Sequence, residues 1–177
     1  DPLPAAEITG TNWTGETFHL SEQQGKVVVA FFGYTHCPDV CPLTLAVLGG
    51  VFAMLEKDPQ VRQEIQTLFI TVDPGRDSAQ VLREYTSAFD PRILGLRGSE
   101  ALTRRAAGEF KVRYEKVRDP AAPPESYTVD HSAGMILLGP DGRTAVRFAY
   151  ATPARQVAER IGALMLEENQ RVPTQRR

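Results

Sequence analysis

The 177-residue chain has only two cysteines, three histidines and a single tryptophan. Both cysteines fall in one short stretch, at Cys37 and Cys41, which excludes the scattered framework that staples small secreted domains and reads instead as one working site. No stretch approaches the ~20 apolar residues that a membrane-spanning helix needs. The chain opens at Asp1-Pro2-Leu3-Pro4 without Met or a signal sequence. It is therefore expected to be a mature or truncated soluble portion, with any membrane anchor lying upstream of Asp1. An excess of positive charge is missing too: 20 Lys and Arg against 22 Asp and Glu leave a net charge of −2. With the cations scattered, nothing marks a nucleic-acid surface. Repeats and interdomain linkers are also lacking, and a hydrophobic content of 42% over this length suffices for one substantial core in one domain.

What is present is organised around Gly33-Tyr34-Thr35-His36-Cys37-Pro38-Asp39-Val40-Cys41-Pro42. Lys26 to Phe32 is a continuous β-branched and aromatic run without alternation, the pattern of a strand buried on both faces. From Pro42 to Lys57, Leu43, Val47, Leu48, Val51, Phe52 and Leu55 recur at helical spacing, so an amphipathic helix with those side chains inward is expected. The cysteines thus occupy a strand-to-helix junction. Orphan N–H groups and the helix dipole favour thiolate there, and at least one depressed cysteine pKa is expected. Residues four apart in a helix have Cβ atoms roughly 5–6 Å apart, whereas a disulfide wants about 3.8 Å. Two sulfurs at this spacing straddle a metal ion comfortably and close a disulfide only with adjustment, so both uses stay open and the metal is favoured.

Along the chain, residues 1–7 read as a flexible lead-in. Two β-prone pieces around Thr14-Gly15 form a hairpin that caps one end of the sheet, with Trp13 as a hydrophobic plug beneath it and His19 structural or solvated. Asp58-Pro59 breaks the first helix, and Thr67 to Val72 is a second buried strand leading into Asp73-Pro74-Gly75-Arg76-Asp77. Ser78 caps a helix from Ala79 to Phe89. A short strand at Ile93–Leu96 precedes a helix from Glu100 to Phe110, with Leu102, Ala106 and Phe110 inward, and Val112 to Val117 is a further strand. Arg118 to Glu125 is the most loop-like segment and is read as functional or mobile. Ala133–Leu138 and Arg143–Ala149 flank Gly139-Pro140-Asp141-Gly142 as an antiparallel hairpin. A last helix starts at Thr152-Pro153 and runs to about Glu168, before a flexible tail at 169–177. This element order is that of an α/β, single thioredoxin-like domain over residues 8–168: a central mixed sheet flanked by helices, with an added N-terminal β-hairpin. In that layout the segment before Ala133 lies beside the cysteine loop, and His131 comes within reach of the sulfurs.

From about Ile8 to Leu166 the sequence resembles the Sco/SenC family, the copper-delivery proteins of cytochrome c oxidase assembly. The resemblance is carried by the cysteine motif above, by Thr71-Val72-Asp73-Pro74 with Arg76-Asp77, and by Tyr127-Thr128-Val129-Asp130-His131-Ser132. It implies metal ligands at Cys37, Cys41 and His131 and copper as the ion, because soft thiolates with one imidazole suit Cu(I) in a trigonal site, or Cu(II) with an added oxygen ligand. Asp130 is a supporting partner for the imidazole in this reading, and Tyr127 shields the site. Gly75 stands where many members carry an acidic residue, away from the ligands. Also implied are delivery to the dinuclear copper (CuA) site of the oxidase copper-site subunit, an upstream copper donor protein, and an extracytoplasmic location tethered to the outer face of a bacterial inner membrane.

The alternative is a thiol-disulfide oxidoreductase that reduces the oxidase subunit before metallation, with Cys37 and Cys41 as its catalytic dithiol. That chemistry does not require His131, and Thr128 to Ile136 lacks the proline that such reductases set near the dithiol. A peroxidase, with a sensitive thiolate and a resolving partner, ranks last. His36 is expected to point elsewhere and is not counted among the ligands. Met54, Met135 and Met165 fall at apolar positions and read as core, and Asp73 reads as a turn former.

Overall fold

The computed structural model describes residues 7–38, 40–57, 65–132 and 134–171. In chain order its elements are β1 (Thr9–Thr11), β2 (Thr17–His19), a short 3-10 turn (Leu20–Gln23), β3 (Val27–Gly33), α1 (Val40–Leu55), β4 (Ile65–Thr71), α2 (Ala79–Phe89), β5 (Ile93–Leu96), α3 (Glu100–Glu109), β6 (Tyr114–Arg118), β7 (Tyr127–His131), β8 (Met135–Leu138), β9 (Thr144–Phe148) and α4 (Ala154–Arg171). The apolar run of β3, buried at every residue, is the middle strand of a five-stranded sheet ordered β5-β4-β3-β8-β9. β4 pairs parallel with β3 and with β5, whereas β8 runs antiparallel to β3 and β9 antiparallel to β8. A central strand covered on both faces needs apolar side chains on both, which is why its sequence does not alternate. Helices α1 and α4 pack on one another, and α2 lies against β5. The fold is thioredoxin-like α/β. Among the described residues no helix is long and apolar enough to cross a membrane.

Several elements fall where the sequence places them. Ser78 caps α2 by accepting from the Val81 N–H; Ser99, which the sequence reading does not single out, caps α3 in the same way through Leu102. The hairpin of β1 and β2 attaches beside β5 through a Thr11–Arg97 bridge. Trp13 departs from expectation: it is 47% exposed, with the Arg83 guanidinium 3.7 Å from its ring centroid, so it is a surface stack and not a plug. In α1 the inward face is Cys41, Thr44, Leu45, Leu48, Val51 and Phe52, whereas Leu43 faces out. The buried Cys41 side chain sets that phase, and apolar spacing alone cannot see it. Leu102 is likewise exposed, its neighbours Thr103, Ala106 and Ala107 forming the buried stripe of α3. Met135 and Met165 are buried, but Met54 is half exposed.

The largest difference concerns Tyr127–His131. These residues form a strand, β7, paired antiparallel with β6 in a separate two-stranded sheet; Arg118 ends β6, and Asp119 to Glu125 lies in the connection between the two strands. β7 is only five residues long and carries few apolar side chains, which hides its alternation in the sequence. Helix α4 extends through Asn169 to Arg171, into the expected tail. Asp58-Pro59, most of the lead-in (1–6) and the end of the tail (172–177) lie outside the described residues.

The phase of α1 has a direct test by chemical denaturation. Leu45→Ala should cost about 2–5 kcal/mol, as for a core leucine, and Leu43→Ala no more than about 1 kcal/mol; the reverse order would mean that α1 is rotated.

Candidate metal centre

The centre is built where β3 ends. Gly33 closes the strand, and a Cβ there would stand 2.7 Å from the Cys41 Sγ and 2.9 Å from the Phe31 ring. Only glycine leaves room for the sulfur. The chain then turns, the Cys37 N–H donating to the Tyr34 carbonyl at 3.2 Å. Asp77 pins the turn from below: its carboxylate accepts from the Thr35 N–H at 3.1 Å and from the Thr35 hydroxyl at 2.6 Å. Cys41 lies in the first turn of α1, fully buried, and Cys37 in the loop before it is 8% exposed.

His131 arrives from the end of β7 on the far side. Its Nε2 lies 3.5 Å from the Cys41 Sγ and 3.9 Å from the Cys37 Sγ, and the three ligand atoms all lie within 4.8 Å of one another. Its Nδ1 is 3.1 Å from the Ser132 carbonyl, which assigns the ring proton to Nδ1 and leaves the Nε2 lone pair facing the sulfurs. The ring is edge-on to Tyr34, centroids 5.8 Å apart. Tyr34 is buried, and its hydroxyl accepts from the Val129 N–H at 3.2 Å, tying the cysteine loop to β7.

Electrostatically the pocket favours neutral groups. Burial pushes the Cys41 thiol far up, with the neighbouring Cys37 adding to it. Burial also lowers the His131 pKa, which the Ser132 hydrogen bond and the Asp130 charge partly offset. The thiolate expected at the helix start is therefore not found at Cys41, where desolvation outweighs the dipole. The donor set nonetheless fits an ion. With thiolate and imidazole bonds of about 2.3 and 2.0 Å, as for zinc, a trigonal or tetrahedral centre needs S···N separations of about 3.5–3.7 Å. The observed 3.5 and 3.9 Å bracket that distance.

The other candidate residues stand further off. Asp130 is exposed and alternates to the opposite face of β7 from His131, whose Nδ1 contacts Ser132. Tyr127 donates its hydroxyl to Asp73 at 2.6 Å and reaches the ligands only through the strand that it shares with His131. His36 is 54% exposed, its Nδ1 3.9 Å from Asp77. With Asp73 and Asp77 it makes a second cluster of possible ligand atoms. Those carboxylates are already engaged: Asp73 by Arg76 and Tyr127, Asp77 by Thr35 and Thr71. Sequence reasoning singled out the Asp73–Asp77 turn without assigning it work, and it gave Tyr34, Thr35 and Gly33 no role of their own. Their signal was their place in the motifs.

A thioredoxin-like α/β domain carrying a Cys–Cys–His cluster at the start of its first long helix defines a thiol-based metal-binding class. The SCO1/SenC family model matches residues 5–166, and the chain belongs to that family. It is 35% identical to the mitochondrial SCO2 homolog of Homo sapiens over 154 residues, covering 81% of this chain and 57% of that protein. Yeast Sco1 with copper bound superposes with a TM-score of 0.82 at 29% identity, covering 97% of this chain and 96% of that one. Bradyrhizobium japonicum ScoI with copper bound gives 0.80 at 31% identity, covering 92% and 99%. The chain spans about half the length of the mammalian mitochondrial relatives that it matches.

The unequal burial of the two thiols is measurable. Iodoacetamide labelling of the reduced, metal-free protein near neutral pH, mapped by mass spectrometry, should modify Cys37 well before Cys41, because only accessible thiolate reacts. Labelling of Cys41 should gain only as pH rises, since its pKa is raised; equal rates at neutral pH would contradict the geometry.

Proposed function

We propose that this chain is a copper metallochaperone that takes one copper ion on Cys37, Cys41 and His131 and passes it by ligand exchange to the dinuclear copper site of cytochrome c oxidase. The observation that carries this reading is the Nε2 lone pair of His131 aimed at both sulfurs, at separations that one ion spans. Two thiolates and one imidazole are a soft, three-donor set, which favours Cu(I) over harder ions. Relatives solved with copper bound agree with copper as the ion. Loading must expel thiol protons, so the ion supplies the positive charge that the buried pocket lacks. Cys37 is the less buried sulfur, and an incoming thiolate of the acceptor would meet the ion on that side. The same reading gives the chain an upstream copper donor, the oxidase copper-site subunit as acceptor, and an extracytoplasmic position tethered to the outer face of a bacterial inner membrane.

One observation favours a second reading. Both cysteines are free, with their sulfurs in one cluster, so a dithiol that reduces the acceptor's cysteines is chemically available.

A Cu(I) competition titration of the reduced protein against a chromophoric chelator separates the two. Wild type should bind one equivalent. Cys37→Ala, Cys41→Ala and His131→Ala should each lose more than the roughly 10- to 100-fold that removing a supporting residue costs, and His36→Ala should stay near wild type. Equal, weak binding by wild type and His131→Ala would transfer the assignment to thiol-disulfide exchange.

A further inference from the structure

The turn after β4 touches both halves of the metal centre. Its Asp77 holds the cysteine loop through Thr35. Its Arg76 holds the strand that carries the histidine: Nε donates to Asp73 at 2.6 Å, Nη1 donates to the Tyr127 carbonyl at 2.9 Å, and the guanidinium carbon lies 3.7 Å from the Tyr127 ring centroid. The second oxygen of Asp73 takes the Tyr127 hydroxyl at 2.6 Å. Among the described residues β7 pairs only with β6. Backbone groups of β7 are met by side chains instead of a further strand, Tyr127 O by Arg76 and Val129 N–H by Tyr34. A lone two-stranded hairpin is marginal in water, so its placement has to come from such tethers. Tyr127, Val129 and His131 alternate onto one face, and fastening the first fixes the direction of the last.

We propose that Arg76 is a positioning residue that registers His131 with Cys37 and Cys41 by fastening β7 to the same turn that fastens the cysteine loop. The inference rests on the copper reading above. Arginine is suited to it because one planar fork reaches a carboxylate and a carbonyl while stacking on a ring, which the point charge of lysine does not do.

The test is a double-mutant cycle on Cu(I) affinity with Arg76→Met, His131→Ala and the double variant, with thermal unfolding of each recorded alongside. Arg76→Met should lose about 10- to 100-fold in affinity, and should lose little further affinity once His131 is already alanine. In the Cu(II)-loaded protein its thiolate-to-copper absorption should move toward that of His131→Ala, a shift that general loosening would not give. Wild-type affinity in a folded Arg76→Met, or losses that simply add in the double variant, would overturn the proposal and leave the copper reading intact. No loss in His131→Ala would overturn the copper reading itself, and the proposal with it. If Arg76→Met does not fold, Arg76→Lys, which keeps the charge but loses the fork that reaches Asp73 and the Tyr127 carbonyl together, should still weaken copper binding in a His131-dependent way; unchanged affinity there would equally overturn the proposal.

Discussion

A carboxylate with no exposed surface must be given donors or it destabilises the fold that buries it. Asp77 is such a group, and its donors are the Thr35 N–H, the Thr35 hydroxyl and the Thr71 hydroxyl. Thr71 ends β4 directly opposite Gly33, which ends β3. The requirement to satisfy one buried group therefore ties the cysteine loop to the mouth of the sheet. That mouth, at the carboxyl ends of parallel strands, is where α/β sheets place their ligands. Asp77 thus holds the loop that carries Cys37, and Gly33 leaves the gap into which Cys41 sends its sulfur.

The enclosure that holds the Cys41 sulfur also sets its charge. A helix start draws Cys41 toward thiolate, and burial draws it toward thiol; burial prevails. His131 is treated alike, its charged form disfavoured and its remaining proton engaged on Ser132. For a metal site this has a use. An empty pocket lined with permanent charges would be costly, whereas the Cys41 thiol waits neutral and would give up its proton only when a cation arrives to offset the desolvation.

The parts legible in the sequence were those governed by near neighbours. The β3 run, the Ser78 cap, the β8–β9 turn and the order of elements along the chain follow from local pattern, and the Cys-x-x-x-Cys spacing with a distant histidine was readable as a motif. What escaped depended on partners far along the chain. The phase of α1 follows from a sulfur packed against Gly33, Trp13 is claimed by Arg83 across the surface, and β7 is a strand only because β6 and the Asp73–Asp77 turn receive it. The depressed thiol pKa was argued from the helix end, which the sequence shows, without the burial, which it does not.

The two kinds of force in this molecule divide the work of the site between them. Apolar burial is strong but without direction, and it suffices for Cys41, which rides on the first helix against the central strand; Cys37 lies in the loop between them, which Asp77 holds through Thr35. An imidazole that is to take a metal ion would need orientation as well as place, because only one of its nitrogens carries the lone pair. Directional contacts supply that: a carbonyl holds Nδ1, a phenol holds the strand at Val129, and a guanidinium holds it at Tyr127. A purely apolar seat for β7 would place His131 near the sulfurs without deciding which way the ring faces, and a ring turned over offers the ion an N–H instead of a lone pair.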